Sequence, residues 1–201
     1  MTRKHFLSHD NIIEGVYGLT DPVSEDMGYT DLSNEMHVAY LPLAHIFELM
    51  VELMSYSAGI RVAYSSPFTL TDKSPKIAKG QKGDIALVQP TFMIANPLLL
   101  NRVYKNIRSA IESKSPFFAQ LFNLSFEYKR YWRERGMDTP LLNMFLFKKM
   151  ADVLGGKLRV IYSGGGPLSN DVYQFFRLVM CPATNICYGL TESCGVGIAS
   201  N

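Results

Sequence analysis

Residues 158–162, Leu-Arg-Val-Ile-Tyr, run without a break into Ser163-Gly164-Gly165-Gly166-Pro167-Leu168, and a capped helical pattern over 169–180 precedes a second apolar run at 185–190. A buried-type strand that turns on glycines into a helix and then resumes as a strand constrains this chain more than any other feature, because such a crossover joins parallel strands of one sheet. The rhythm occurs earlier as well. An apolar strand at 36–43, which Pro42 should end, leads into an apolar helix over 44–58, with Gly59 as its stop and a short strand at 61–64 behind it. Parallel α/β is the class these units predict. With 201 residues, 47% of them hydrophobic, the chain can bury a core of that kind in one domain or a little more.

Between and around these units the pattern is plainer. Ser8, followed by Asp10, Asn11 and the apolar Ile12, Ile13, Val16 and Leu19, marks a capped amphipathic helix near the start, and the Asp, Ser, Gly, Thr and Pro of 21–34 read as a loop after it. Residues 67–83 read as surface loop, and 84–94 as a strand interrupted at Pro90. Three helices are expected over 97–113, 117–135 and 141–154, and 196–199 begins to look like a further strand. The stretch 128–135 mixes bases and aromatics with alternating sign, which predicts a solvated helix face on which Lys129→Ala should do little. Met50, Met54, Met144 and Met150 suit an ordinary core as well as a lipid tunnel.

Several function classes lose support on composition. Charged residues are 19% and the formal balance is +2, so no strong field points to nucleic acid or an acidic substrate, and no nucleic-acid partner is expected. The most apolar helical stretch, 46–54, carries Glu48 and Glu52, so a membrane span is not expected and the segment reads as soluble. The first residues have a basic start but no apolar stretch of signal-peptide length. Cys181, Cys187 and Cys194 are odd in number and lack CxxC spacing, which reads as free thiols in a reducing compartment.

Two loops can carry chemistry. In the turn at Gly164, Gly165, Gly166 and Pro167, glycines let the backbone approach a ligand, and free N–H groups beside a helix start favour an anion or the polar edge of a heterocycle. The turn is neither GxGxxG nor a Walker A loop, and tight turns need glycine for geometry alone, so both readings stand. In Tyr188-Gly189-Leu190-Thr191-Glu192-Ser193 an aromatic face, a hydroxyl and a carboxylate converge at a strand end: Tyr188 to stack a base, Thr191 to bond a phosphate oxygen, Glu192 to hold Mg2+. A solvated turn fits the same residues. His37 and His45 flank a strand end as candidate general bases or gates, or as hydrogen-bonded core residues. His5 and His9 are four apart without the Glu of a metalloprotease helix or a third ligand, so no zinc site is expected.

Taken in order, Tyr40-Leu-Pro-Leu-Ala-His-Ile-Phe-Glu48, the segment 83–107 with Gln89-Pro90-Thr91 and Asn101-Arg-Val-Tyr-Lys-Asn-Ile107, the segment 154–169, and Tyr188 onward to Gly195 resemble long-chain acyl-CoA synthetases of the adenylate-forming superfamily, nearest to animal types three and four. The likeness is collinear over about 8–201. It implies a partial AMP-binding adenylation domain over 1–201 and a parent enzyme that uses ATP, Mg2+ and CoA: a fatty acid carboxylate attacks the α-phosphate to give an acyl adenylate and pyrophosphate, and the CoA thiol then displaces AMP. By resemblance, Gly164, Gly165, Gly166 and Pro167 line the adenine pocket, Tyr188 stacks on adenine, Gly189 and Thr191 face the phosphates, Glu192 binds magnesium, and His45 sits near the carboxylate and acyl channel. The parent is expected on the cytoplasmic face of intracellular membranes such as the endoplasmic reticulum.

The departures also carry expectations. The family's phosphate loop precedes the segment matched by Ser8-His9-Asp10-Asn11 and is not found in 1–7, while the ribose-binding positions, the mobile domain with its lysine and the membrane anchor lie outside the match. The chain alone is therefore expected not to complete the reaction. Ile186 and Cys187 stand where Gln-Gly is usual, so Cys187 is expected to crowd the base pocket, and Asn96-Pro97 replaces Val-Pro without consequence. The alternatives are a non-catalytic lipid- or nucleotide-binding remnant and another adenylate-forming ligase of coumarate or luciferase type, against which the insert at 117–140 argues by resemblance.

Overall fold

The computed structural model describes residues 6–200; His5, weighed above with His9, and most of 1–7 lie outside them. The described chain is a mixed α/β structure built on one six-stranded sheet in the order β2-β1-β3-β4-β5-β6. The first five strands are parallel: β1 (Met36–Ala39), β2 (Arg61–Tyr64), β3 (Phe92–Ala95), β4 (Val160–Ser163) and β5 (Ala183–Tyr188). The sixth, β6 (Ile198–Ala199), pairs antiparallel with β5 through Cys187↔Ala199 and Tyr188↔Ile198. β3 and β4 are buried at every residue, as strands covered on both faces must be, and their side chains alternate between two cores. Phe92, Ile94, Val160 and Tyr162 join the layer of α1 (His9–Met27) and α2 (Ile46–Ser57). Met93, Ala95 and Ile161 join the opposite layer, which holds α4 (Pro97–Glu112), α5 (Pro116–Arg133) and α8 (Asn170–Phe175).

Helix starts follow the side chains that satisfy them. Ser8 and Asn11 form a reciprocal capping box on α1, Asn96 Oδ1 accepts from the Leu99 N–H at 2.8 Å with Pro97 at the first helical position of α4, and Ser115 caps α5 before Pro116. Residues 140–154 form one helical stretch, α6 (Pro140–Leu142) and α7 (Lys148–Ala151) joined by a π turn at Asn143–Phe147. A second π turn, Phe176–Met180, extends α8 to the residue at which the sequence pattern ends it.

Three sequence expectations give way. First, α1 does not stop before Asp21 but runs through Pro22 to Met27. Pro22 has no N–H for the carbonyl of Gly18, yet Leu19, Val23 and Met27 continue a buried stripe at helical spacing. Asp26 fastens the last turn to the sheet, its Oδ2 accepting from Tyr162 Oη at 2.5 Å and from Asn185 Nδ2 at 2.6 Å. Second, 84–94 is not a broken strand: its first half is the short helix α3 (Asp84–Val88), whose Asp84 carboxylate accepts from Ser65 Oγ at 2.8 Å and Thr69 Oγ1 at 2.5 Å, and only the second half is strand. Third, the 128–135 face is not uniformly solvated. Tyr128, Arg130, Tyr131 and Arg133 are exposed, but Lys129 is buried, donates to Asn143 Oδ1 in the π turn, and lies 5.2 Å from the centroid of the Phe147 ring.

Burial holds the Lys129 ammonium below its ordinary range, against the pull of Asp138. Lys129→Ala should therefore not be silent: losing the buried stem and orphaning Asn143 is expected to cost about 2 kcal/mol in urea unfolding, whereas Lys129→Met, which keeps the stem, should cost less than about 1 kcal/mol. Equal, negligible effects of both would restore the surface reading.

On α2, Glu48 is fully buried: Oε2 accepts from the Leu41 N–H at 3.2 Å and Oε1 lies 3.4 Å from Nε2 of the equally buried His37. Replacing it with Leu should cost about 3 kcal/mol, because an amide and an imidazole lose their partner inside the core, while Glu48→Gln, which retains an acceptor, should cost about 1 kcal/mol. Thermal unfolding of the two variants checks the order.

Candidate functional site

The order 2-1-3 reverses direction between β1 and β3, and crevices beyond the carboxyl ends of strands in such sheets are where α/β proteins take ligands. Here the carboxyl ends of β1, β4 and β5 converge on one cleft of about 210 Å3. The connection after β1 brings His45, Ile46 and Phe47; the turn after β4 brings Gly164 and Gly165; the end of β5 and its continuation bring Cys187, Gly189, Leu190, Thr191, Gly195 and Val196. Ligand pockets commonly enclose roughly 300–1,000 Å3, so this cleft suits a nucleobase-sized group rather than a whole nucleoside triphosphate.

Backbone geometry decides two of these positions. Gly165 sits at φ 81°, in the left-handed region that side chains resist. At Gly189 a Cβ would fall 1.4 Å from the carbonyl oxygen of Gly195, so the two chain segments touch backbone to backbone and only glycine fits. Gly164 is packed differently, its absent side chain facing the Phe47 ring at 3.1 Å. Phe47 thus forms an apolar wall beneath the glycine turn.

His45 is the N-cap of α2, and its Nδ1 accepts from the Phe47 N–H at 3.2 Å. A neutral imidazole accepting at Nδ1 carries its proton on Nε2, so His45 can offer an N–H from the helix end to a ligand in the cleft. His37 is not part of the cleft; it is buried against Glu48 and Phe92, their ring centroids 5.2 Å apart in the latter pair. Cys187 lines the floor, and burial together with the nearby Asp26 carboxylate pushes its thiol up to about 12, so it is protonated and inert at neutral pH. Cys181 is pushed up to about 12 as well, by burial, and all three cysteines are unpaired and buried.

Of the residues singled out in the sequence, His45, Gly164, Gly165, Gly189 and Thr191 share the cleft wall. Gly166 and Pro167 continue the turn without lining it, and a Cβ on Gly166 would lie 3.7 Å from Pro97 Cγ, toward α4. Tyr188 ends β5 as a residue 64% exposed, outside the lining, and Glu192 is exposed beside Thr191 in the turn Thr191–Ser193. Among the described residues no three His, Cys, Asp or Glu side chains are placed to share a metal ion. One carboxylate beside a hydroxyl does not make a resident metal site, but it fits magnesium that arrives with phosphate ligands of its own. Sequence reasoning missed Phe47 and Gly195. Phe47 reads as an ordinary core residue, and the approach of residue 195 to residue 189 leaves no local pattern.

The fold has counterparts. The AMP-binding enzyme family matches residues 6–201. Long chain acyl-CoA synthetase 8 of Arabidopsis thaliana is 36% identical over 196 residues, 94% of this chain and 26% of that protein, and long-chain-fatty-acid–CoA ligase 1 of Saccharomyces cerevisiae is 34% identical over 189 residues, again 94% and 26%. This chain therefore spans about a quarter of the length of these relatives. Among solved structures, a long-chain-fatty-acid-CoA ligase from Archaeoglobus fulgidus superposes with TM-score 0.54 at 15% identity, over 96% of this chain and 30% of that one. The A domain of a carboxylic acid reductase from Segniliparus rugosus, in complex with AMP and a carboxylic acid, gives 0.55 at 18% identity over 92% and 25%. At such identities the structures establish the fold, and the family match supplies the kinship: the chain belongs to the AMP-binding enzymes, the adenylate-forming family.

Proposed function

We propose that residues 1–201 are part of the adenylation domain of a ligase that joins long-chain fatty acids to CoA at the expense of ATP. The observation that carries this reading is the convergence of His45, the Gly164–Gly165 turn and the Gly189–Thr191 turn on one cleft at the strand ends, in a chain more than a third identical to a plant long-chain acyl-CoA synthetase. In this reading adenine lies against the glycine turn and the Phe47 wall, with Gly164 to Pro167 along its edge, and the exposed Tyr188 ring stacks on it from the rim. The backbone at Gly189 and the Thr191 hydroxyl face the phosphates, and His45 presents its Nε2 proton to the fatty acid carboxylate or to the departing charge. Glu192 is the residue that would hold Mg2+ arriving with the nucleotide. Magnesium, when bound, neutralises charge on the phosphate oxygens.

The chemistry asked of these residues is orientation. The fatty acid carboxylate attacks the α-phosphate and releases pyrophosphate, then the CoA thiol attacks the acyl carbon and releases AMP; neither step needs a covalent enzyme nucleophile, in keeping with the protonated Cys187. The small cleft holds the base end of ATP, and the present residues are proposed to bind nucleotide without completing ligation alone. The parent is proposed to act at the cytoplasmic face of intracellular membranes, a reading that rests on resemblance; among the described residues no helix is long and apolar enough to cross a membrane.

Two measurements test the assignment. Tyr188→Ala, at an exposed ring, should leave the unfolding midpoint unchanged while weakening AMP binding in calorimetry by about tenfold, within the roughly 1–3 kcal/mol of a stacked base; unaltered affinity removes Tyr188 from the site. In the complete parent, Glu192→Ala should lower the rate of adenylate formation at saturating ATP by about 100-fold and raise its magnesium requirement, without changing affinity for metal-free AMP. A loss confined to AMP binding would assign Glu192 to the base pocket instead.

A further inference from the structure

Residues 65–83 join β2 to α3 without regular structure, a connection longer than the roughly 12–15 residues beyond which loops in compact domains are usually functional or disordered. This one is ordered by its own contacts. Leu70 and Ser74 are buried inside it, Ser74 Oγ accepts from the Thr71 N–H at 3.0 Å, and the Lys76 N–H donates to the Phe68 carbonyl at 3.0 Å. Its closing limb is held where the Asp84 and Ile85 N–H groups donate to the carbonyls of Thr69 and Leu70, each at 3.0 Å. At Gly83 a Cβ would fall 2.3 Å from the carbonyl carbon of Thr71, so the two limbs meet backbone to backbone. The exposed side chains are thus presented on a closed platform, as in other compact surface loops.

What the platform presents is positive charge. Lys73, Lys76, Lys79 and Lys82 recur at every third residue, all four are exposed, and among the described residues none of them forms an ion pair. The acids of the same stretch are engaged with the loop's own donors: Asp72 Oδ1 accepts from the Gly83 N–H at 2.7 Å, and Asp84 Oδ2 accepts from Ser65 and Thr69. No arginine accompanies the lysines in 65–83. Lysine is a compact, hydrated charge on a flexible stem, suited to the summed field of many anions rather than to one clasped phosphate. Phe68 is the loop's one aromatic residue, 53% exposed, with Lys76 Nζ 5.3 Å from its ring centroid. One ring under a cation gives no stacking row of the kind single-stranded nucleic acid uses, whereas an apolar ring among lysines suits burial at the headgroup level of a bilayer.

We infer that the lysine loop at 65–83 docks on an anionic bilayer surface, its four ammonium groups against the charged headgroups and Phe68 between them. Clusters of about 4–8 cations bind anionic leaflets in this way. The inference rests on the membrane location proposed above and gives it a point of contact in this chain; it uses no residue of the strand-end cleft.

The test measures partition of the 201-residue chain onto phosphatidylcholine vesicles with and without phosphatidylserine, by co-sedimentation at low and at raised salt. Binding is expected only with phosphatidylserine, and it should fall as salt rises. The quadruple variant Lys73→Gln/Lys76→Gln/Lys79→Gln/Lys82→Gln should lower partition at least about tenfold with unchanged thermal unfolding, while arginine at the same four positions retains it. Phe68→Ser should weaken partition several-fold without altering its salt dependence, and Lys105→Gln/Lys157→Gln, at exposed lysines outside the loop, should leave it unchanged. Equal binding to phosphatidylcholine alone, partition indifferent to the quadruple variant, or tighter binding of a single-stranded RNA oligonucleotide than of the vesicles would each overturn the assignment. Partition of this chain reads the loop and fractionation of the complete parent reads its location, so either result can fail without the other.

Discussion

A single buried carboxylate organises the functional end of this protein. Glu48 sits in the first turn of α2 with no exposure, and its two oxygens reach the Leu41 backbone N–H and the His37 ring. A carboxylate inside a core is tolerated only when its lone pairs are satisfied, and satisfying this one fixes the path of the chain from the end of β1 into α2. That path delivers His45 as the helix cap and Phe47 as the wall beneath Gly164. Without the clamp, the glycine turn after β4 would face no ordered partner.

The other side of the cleft depends on a comparable device. Asp26, at the end of α1, accepts from Tyr162 on β4 and Asn185 on β5, so the helix that covers the α1–α2 layer is tied to both strands whose ends carry the candidate loops. Burial and the Asp26 carboxylate together keep the Tyr162 phenol protonated well above its usual range, and the donor is thereby preserved. Polar groups buried and paired in this way cost little net stability yet specify register, which is what a site assembled from three separate strand ends requires.

Much of this was legible in the sequence, for physical reasons that differ by element. The glycine turn at 163–168 and the apolar helix after Pro42 announce parallel crossovers through backbone requirements alone, and β2 occupies the very residues its pattern marked. The resemblance to long-chain acyl-CoA synthetases agrees with the family match. What escaped were places where tertiary contacts outweigh local preference. The start of 21–34 reads as loop from its composition because the anchoring of Asp26 to the sheet is invisible in one dimension. Asp84 reads as the edge of a strand because its hydroxyl partners, Ser65 and Thr69, lie in a loop of no fixed pattern. Lys129 reads as solvated because nothing local reveals that Asn143 and Phe147 will cover it. In the site, Gly189 was legible as a loop glycine, but its cause, the backbone of Gly195 pressed against it, was not.

We propose that the strand-end cleft receives the adenine end of a nucleotide. Amide chemical-shift mapping of the isotope-labelled chain titrated with AMP tests it most directly. Saturable shifts are expected at Gly164, Gly165, Gly189 and Thr191, with the Phe47 ring protons moving in step and Leu99 and Ala110 on α4 still. Shifts absent from the two glycine turns, or gathered around α4 instead, would contradict it.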